Sequence, residues 1–176
     1  DDYKGAFDTV EHLIGQGYRR IYHYAGSQRV SIWKNRRTGY EDALRRHGIE
    51  PLSDWIAEGA TTEEGGYKAM ERLFAAGETL PEAVFFAGDY AALGAYRSLR
   101  EHGLRVPDDM ALAGFANEPF CELITPSFTS VEQFGYRMGS AAAQMLLDKL
   151  DGGPYMDIVI PPKLIVRESS QRKRTE

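Results

Sequence analysis

Apolar residues recur at Ala6, Val10, Leu13 and Ile14, three and four positions apart, the spacing that lays one stripe along a helix from Tyr3 to Gln16. Asp1 and Asp2 precede it as N-cap candidates, and Gly17 follows it as a stop. The pattern then shortens. Ile21 to Ala25 is an aromatic and apolar run closed by Gly26-Ser27, which predicts a strand. A loop through Trp33 leads into a predicted helix from about Lys34 to His47, stopped by Gly48. Trp55 to Ala57 predicts a second strand, closed by Gly59. Thr61 with Glu64 has capping-box spacing and opens a helix carrying Tyr67, Met70, Leu73 and Phe74, which Gly77 stops. Ala83 to Phe86 predicts a third strand. Asp89 caps the next helix, through Leu93, Tyr96 and Leu99 to Gly103, and Met110 to Ala113 predicts a fourth strand.

Strands and helices alternate along this stretch, which implies right-handed crossovers and the α/β class: a three-layer, doubly wound parallel sheet. Residues 1–131 form one expected unit, compact by Ser130. Residues 132–153 hold a predicted helix, Phe134 to Leu150, with Met138, Ala142, Met145, Leu146 and Leu150 on one stripe, broken by Gly152-Gly153-Pro154. Residues 154–170 contain two strand candidates, Ile158 to Ile160 and Leu164 to Val166, around Pro161-Pro162. The polar tail, 171–176, is expected to be disordered.

Composition narrows the function classes. The 176 residues are 43% hydrophobic and 27% charged, an ordinary globular balance. A net charge of −5 argues against nucleic-acid binding by this chain, since phosphate contacts need clustered Lys and Arg. The single cysteine, Cys121, excludes an internal disulfide framework and fits a reducing, cytoplasmic compartment. No apolar run approaches the ~20 residues of a membrane span. No amino-terminal signal is evident, and the chain starts in mid-pattern, as a fragment would.

The loops after the strands should open on one edge of the sheet, where open α/β folds collect ligands. They carry Gly26 to Trp33, Gly59 to Thr61, Gly88-Asp89 and Phe115 to Asn117. Asp89 reads either as a helix cap or as an acceptor for a ligand hydroxyl, and the two roles are compatible. Lys34, Arg36 and Arg37 fall in the first turn of their predicted helix, where each cation opposes the macrodipole by ~0.3–1 kcal/mol. That favours a binding role for Arg36 over a solvated basic turn. Trp33 is a stacking candidate, with a core role as the alternative. Catalytic constellations are absent: His12, His23, His47 and His102 are scattered, and no Gly-x-Ser-x-Gly elbow, Gly-x-Gly-x-x-Gly loop or Walker loop occurs. Cys121 reads as a space-filler. Neither metal nor cofactor is expected, and no enzymatic activity.

Two further stretches carry a resemblance. Residues 104–120 read Leu-Arg-Val-Pro-Asp-Asp-Met-Ala-Leu-Ala-Gly-Phe-Ala-Asn-Glu-Pro-Phe, and residues 125–133 read Thr-Pro-Ser-Phe-Thr-Ser-Val-Glu-Gln. With Arg36-Arg37-Thr38-Gly39-Tyr40 and the run from Phe86 to Ala95, they resemble the effector-binding core of the lac/gal/pur repressor family of bacterial transcription regulators. The resemblance implies a periplasmic-binding-protein-like type I lobe, truncated. It implies that Arg36 grips effector hydroxyls or carboxylates, that Gly88 and Asp89 lie at the effector edge, and that Gln133 contacts ligand. Thr61 stands where some members place a stacking ring. Ala116 stands where the common wording, Gly-Phe/Tyr-Asp-Asn, has an aspartate that accepts sugar hydroxyls, which leaves Asn117 and Glu118 as the nearest polar groups.

By the same resemblance the helix of residues 132–153 belongs to an amino-terminal lobe, and operator DNA is bound by a helix-turn-helix domain outside this chain. The partners implied are a small sugar-like effector and a second copy of the protein. A sugar-uptake solute-binding protein is the alternative, and an α/β enzyme a third reading. Two expectations follow. Arg36→Ala should weaken effector binding while leaving stability nearly unchanged, and the stripe from Met138 to Leu150 should either self-associate or fold back onto the compact unit.

Overall fold

Asp1 opens the first helix, α1 (Asp2–Gly15), by accepting the Lys4 backbone N–H at 2.9 Å, so of the two candidate caps the first fills the role. Ala6, Val10, Leu13 and Ile14 are all buried, and the chain turns away as Gly17 takes φ +93°. The computed structural model describes residues 1–77, 79–154 and 156–172. After α1 come β1 (Ile21–Ala25), α2 (Ser31–Arg46), β2 (Ile56–Glu58), α3 (Glu63–Ala76), β3 (Ala83–Phe86) and α4 (Asp89–Glu101). Then follow β4 (Ala111–Ala113), a single turn α5 (Phe120–Leu123), β5 (Ser130–Glu132), α6 (Gly135–Leu150) and β6 (Lys163–Ile165).

Several boundaries differ from the sequence reading, most by a single residue, and three helix starts bear on the site. Helix α2 starts at Ser31, ahead of Lys34, because its N-cap Val30 has no capping side chain to mark the start. Helix α3 is capped by Thr62, whose hydroxyl accepts the Gly65 N–H at 3.1 Å, so the Thr61–Glu64 box is displaced by one residue. Helix α4 has Gly88 at its N-cap, and Asp89 is its first helical residue.

The sheet is parallel, in the order β2-β1-β3-β4, with His23 opposite Phe85 and Phe85 opposite Ala113. Alternation along the strands feeds two separate cores, as a strand's period of two requires. Ile21, Ala83, Phe85, Ala111 and Ala113 pack with Val10, Leu13, Tyr40 and Leu44 of α1 and α2. Tyr22, Tyr24, Val84, Phe86 and Leu112 pack with Met70, Ala91, Ala95 and Leu99 of α3 and α4. This is the three-layer, doubly wound arrangement foreseen. β5 extends the sheet past β4 through parallel bridges, Ala113 to Thr129 and Ala116 to Glu132, with the Gly114 N–H donating to Thr129 O at 2.9 Å.

The compact unit does not close at Ser130. β6 pairs antiparallel with β5 and carries the chain back into the core. The Ser169 hydroxyl donates to Leu112 O at 2.7 Å and accepts the Thr129 N–H at 2.9 Å, and Ser170 lies 2.8 Å from His12 Nε2. The tail expected to be disordered from Gln171 is still anchored at Arg172, whose N–H donates to Gln16 at 3.0 Å and whose guanidinium lies over Tyr18. Residues 173–176 lie outside the described residues. Ile158 to Ile160 is not a strand: it has no ladder partner among the described residues, and Val159 is 70% exposed. Helix α6 buries none of its residues: Met138, Ala142 and Met145 line an open cavity shared with Asp1, Asp2 and Asn35, and Leu146 and Leu150 stand 62% and 75% exposed, so the stripe is not packed onto the compact unit.

Candidate functional site

The strand order reverses between β1 and β3, and in such a sheet the crevice lies outside the carboxyl ends of those two strands. Arg36 reaches this point. It is the sixth residue of α2, past the first turn, so it carries no dipole penalty of the kind the sequence suggested. Packing holds it instead. Arg36 is 4% exposed, and its guanidinium lies 3.5 Å from the centroid of the Phe115 ring and 4.8 Å from that of Trp33 and donates to Ala87 O just past β3. Nε and Nη2 both donate to Asp2 Oδ1, at 2.9 and 2.7 Å. Burial lowers the pKa of the guanidinium, and the Asp2 hydrogen bonds and charge oppose that shift. A guanidinium has five N–H donors, and these bonds use three of them.

Trp33 is half-buried and braces this cation from the first turn of α2. Its ring fits only because Gly26 lacks a side chain: a Cβ there would come within 2.5 Å of the indole. Thr61 lies across from Gly88, at the β2–α3 loop. The four loops foreseen at this edge are thus brought together.

The remaining sequence candidates form a second cluster around β4 and β5. Asp89 is 1% exposed, and its carboxylate accepts from the Ser130 hydroxyl at 2.7 Å and from the Glu118 N–H at 2.9 Å. Burial raises its pKa, and those donors oppose the shift. The carboxylate therefore ties α4 to the β4–α5 loop and to β5 and does not cap its own helix. Ala116 takes φ 125° and Asn117 φ 54°, left-handed conformations that side chains other than glycine, asparagine and aspartate adopt at a cost. Asn117 donates to Glu132 at 2.8 Å and accepts from Arg167 at 2.9 Å. Gln133 is half-buried, and its side chain makes no hydrogen bond among the described residues.

Sequence reasoning missed Asp2 as the partner of Arg36, and it missed Phe115 as the platform beneath it. One signal was available: two adjacent aspartates open α1, and a helix needs only one cap. Cys121 is buried beside Asp89, and desolvation with that neighbouring charge pushes its thiol pKa far up, which suits a space-filler. No group of three metal-ligating side chains occurs among the described residues, and no helix among them is long and apolar enough to cross a membrane.

Comparison with known proteins agrees with this geometry. Residues 10–170 match the family model described as a periplasmic binding protein-like domain. The HTH-type transcriptional repressor CytR of Escherichia coli (strain K12) is 38% identical over 152 residues, covering 86% of this chain and 44% of that protein. The HTH-type transcriptional repressor PurR of Haemophilus influenzae (strain PittEE) is 34% identical over 172 residues, covering 95% of this chain and 51% of that one. Among solved structures, a complex of the transcriptional regulator CelR with cellobiose superposes with a TM-score of 0.89 at 35% identity, over 96% of this chain and 52% of that one. The chain spans about half the length of the curated relatives it matches. It belongs to the periplasmic binding protein-like domain family, and its relatives in that family are transcriptional regulators of the lac/gal/pur type.

Proposed function

We propose that this chain is the effector-sensing part of a cytoplasmic, homodimeric transcriptional regulator and is not an enzyme. The effector is a small sugar-like molecule, held at the carboxyl edge of the sheet between this unit and a second lobe. Residues 132–153 belong with that lobe, and residues 154–170 return from it. Operator DNA is engaged by a helix-turn-helix domain outside this chain, and effector binding biases it through differential affinity for two arrangements of the lobes. Arg36, Trp33, Thr61, Asp89, Ala116, Asn117 and Gln133 line or brace the site.

The observation that carries this reading is Arg36 itself. A cation sits at the switch point of the sheet, stacked on Phe115, with three of its five N–H donors engaged. A solved relative named for its cellobiose complex supports a sugar-like ligand. The test is calorimetry on the complete regulator with cellobiose and related neutral sugars. Arg36→Lys keeps the charge and loses the planar fork, and should weaken binding by about tenfold or more. An unchanged dissociation constant removes Arg36 from the site. A mobility-shift assay provides the second arm: this chain alone should give no discrete, competitor-resistant band, because its net charge is −5.

A further inference from the structure

We propose that Glu132 is a further effector-contacting residue, whose carboxylate accepts hydrogen bonds from a neutral, polyhydroxylated effector. The inference rests on the reading of this edge as the effector site and names a contact and a ligand class within it.

Glu132 ends β5, and the parallel bridge to Ala116 places it beside the end of β4, at the carboxyl edge of the sheet. The Ala116 side chain is a single methyl, so no neighbouring polar side chain from that position competes for the carboxylate. Glu132 is half-buried, and its two described partners are neutral: the Asn117 side-chain amide donates to Oε2 at 2.8 Å, and the Phe134 backbone N–H donates to Oε1. No cation pairs with it among the described residues. Of the nearby cations, Arg36 is held by Asp2 and Arg167 by Glu122, while Lys163, opposite Glu132 in the β5–β6 ladder, makes no ion pair with it among the described residues.

A partly desolvated carboxylate with only neutral donors gains from any further donor brought to it. Each of its oxygens has two acceptor positions, so one on each is open. Paired hydroxyls on adjacent carbons fit that pair of positions. An anionic effector gains little here, because Asp2 already meets the charge of Arg36 and Glu132 repels a second carboxylate or a phosphate. Backbone strain singles out the same spot by an independent route. Ala116, across the ladder, and Phe134, two residues on, hold φ 125° and 56°, and strain of this kind is retained where surrounding contacts enforce it for function.

The experiment uses the complete regulator. A metabolite extract is separated by ion exchange into neutral, anionic and cationic pools, and each pool, with cellobiose as a defined neutral probe, is titrated against thermal unfolding. The neutral pool should raise the melting temperature of the wild type. Glu132→Ala should need about tenfold more of that pool for the same shift, and Glu132→Gln, which keeps one acceptor, an intermediate amount. Ala116→Asp introduced into Glu132→Ala restores a carboxylate at the neighbouring position and should recover most of the response. Ligand-free melting of each variant separates lost binding from lost folding. Stabilisation by the anionic pool instead, or an equal neutral-pool response in wild type and Glu132→Ala, overturns the proposal. If Arg36→Lys abolishes the neutral-pool response while Glu132→Ala keeps it, the effector site stands and Glu132 is not part of it. If no pool stabilises the wild type, the site reading falls and this inference falls with it.

Discussion

Arg36 holds a positive charge with 4% of its surface exposed, and the Asp2 carboxylate 2.7 Å away is what offsets the desolvation. The expectation that Arg36→Ala would spare stability therefore needs correcting. The substitution strands Asp2 and the Ala87 carbonyl, and should destabilise the chain by about 2–3 kcal/mol in urea unfolding, with Asp2→Asn costing a similar amount. A loss below about 0.5 kcal/mol for both variants would show that the pair does not form in solution. His23 gives a second prediction at this scale. It stacks between Tyr40 and Phe85 with Nε2 unpartnered, and burial lowers its pKa from 6.5 to about 4. Between those values the unfolded chain binds more protons than the folded one, so stability falls as pH drops from 6.5 toward 4, by up to roughly 3 kcal/mol. Above pH 6.5 the ring is neutral in both states and adds no slope. His23→Phe should flatten this dependence, read as a smaller gap between urea midpoints at pH 7 and pH 4.5.

Among the elements, α3 shows how a legible signal can be out by one position. Thr61-Thr62-Glu63-Glu64 offers two overlapping caps, and sequence spacing alone does not rank them. The close approach of Gly65 to the Ala60 carbonyl ranks them: a Cβ there would lie 2.0 Å from that oxygen, which fixes the entry of the chain and puts Thr62 at the cap. Thr62→Ala should cost about 1 kcal/mol in urea unfolding and Thr61→Ala only a few tenths, and the reverse order would restore the box read from sequence. Helices α3 and α4 cross so tightly that a Cβ on Gly94 would fall 1.8 Å from the Glu63 carbonyl. Gly94→Ala must push the helices apart, at about 3 kcal/mol, although alanine is the better helix former by ~1 kcal/mol. A stabilised variant would refute that packing.

At the scale of the whole molecule, α6 and the compact unit differ in kind. The unit has two closed cores, whereas Met138, Leu146, Leu147 and Leu150 of α6 stand 46–75% exposed. Since folding back is not what the structure shows, self-association is the expected outcome for the isolated chain. Light scattering over a concentration series should show mass rising above the monomer, and Leu146→Lys with Leu150→Lys should return it to the monomer value. A wild-type chain that stays monomeric throughout would mean that the stripe remains solvated without a partner.

The sequence alone determined the order and kind of nearly all elements, because each depends on periodicity and stop signals within about fifteen residues. Four of the parallel strands, their helices and the edge where Arg36, Trp33, Asp89 and Asn117 gather were legible on that basis. The phase of the Thr61 cap and the start of α2 were not, since adjacent threonines and a cap without a side-chain acceptor leave no clear local mark, and the false strand at Ile158 lacked a ladder partner, which only the fold could decide. Only the tertiary structure decided how the polar groups pair. Arg36 meets Asp2 across 34 positions, Asp89 meets Ser130 across 41, and Glu132 is left with neutral donors alone. Those pairings depend on helix crossing and strand register, which bring distant residues within 3 Å, and local pattern carries no information about distances of that kind.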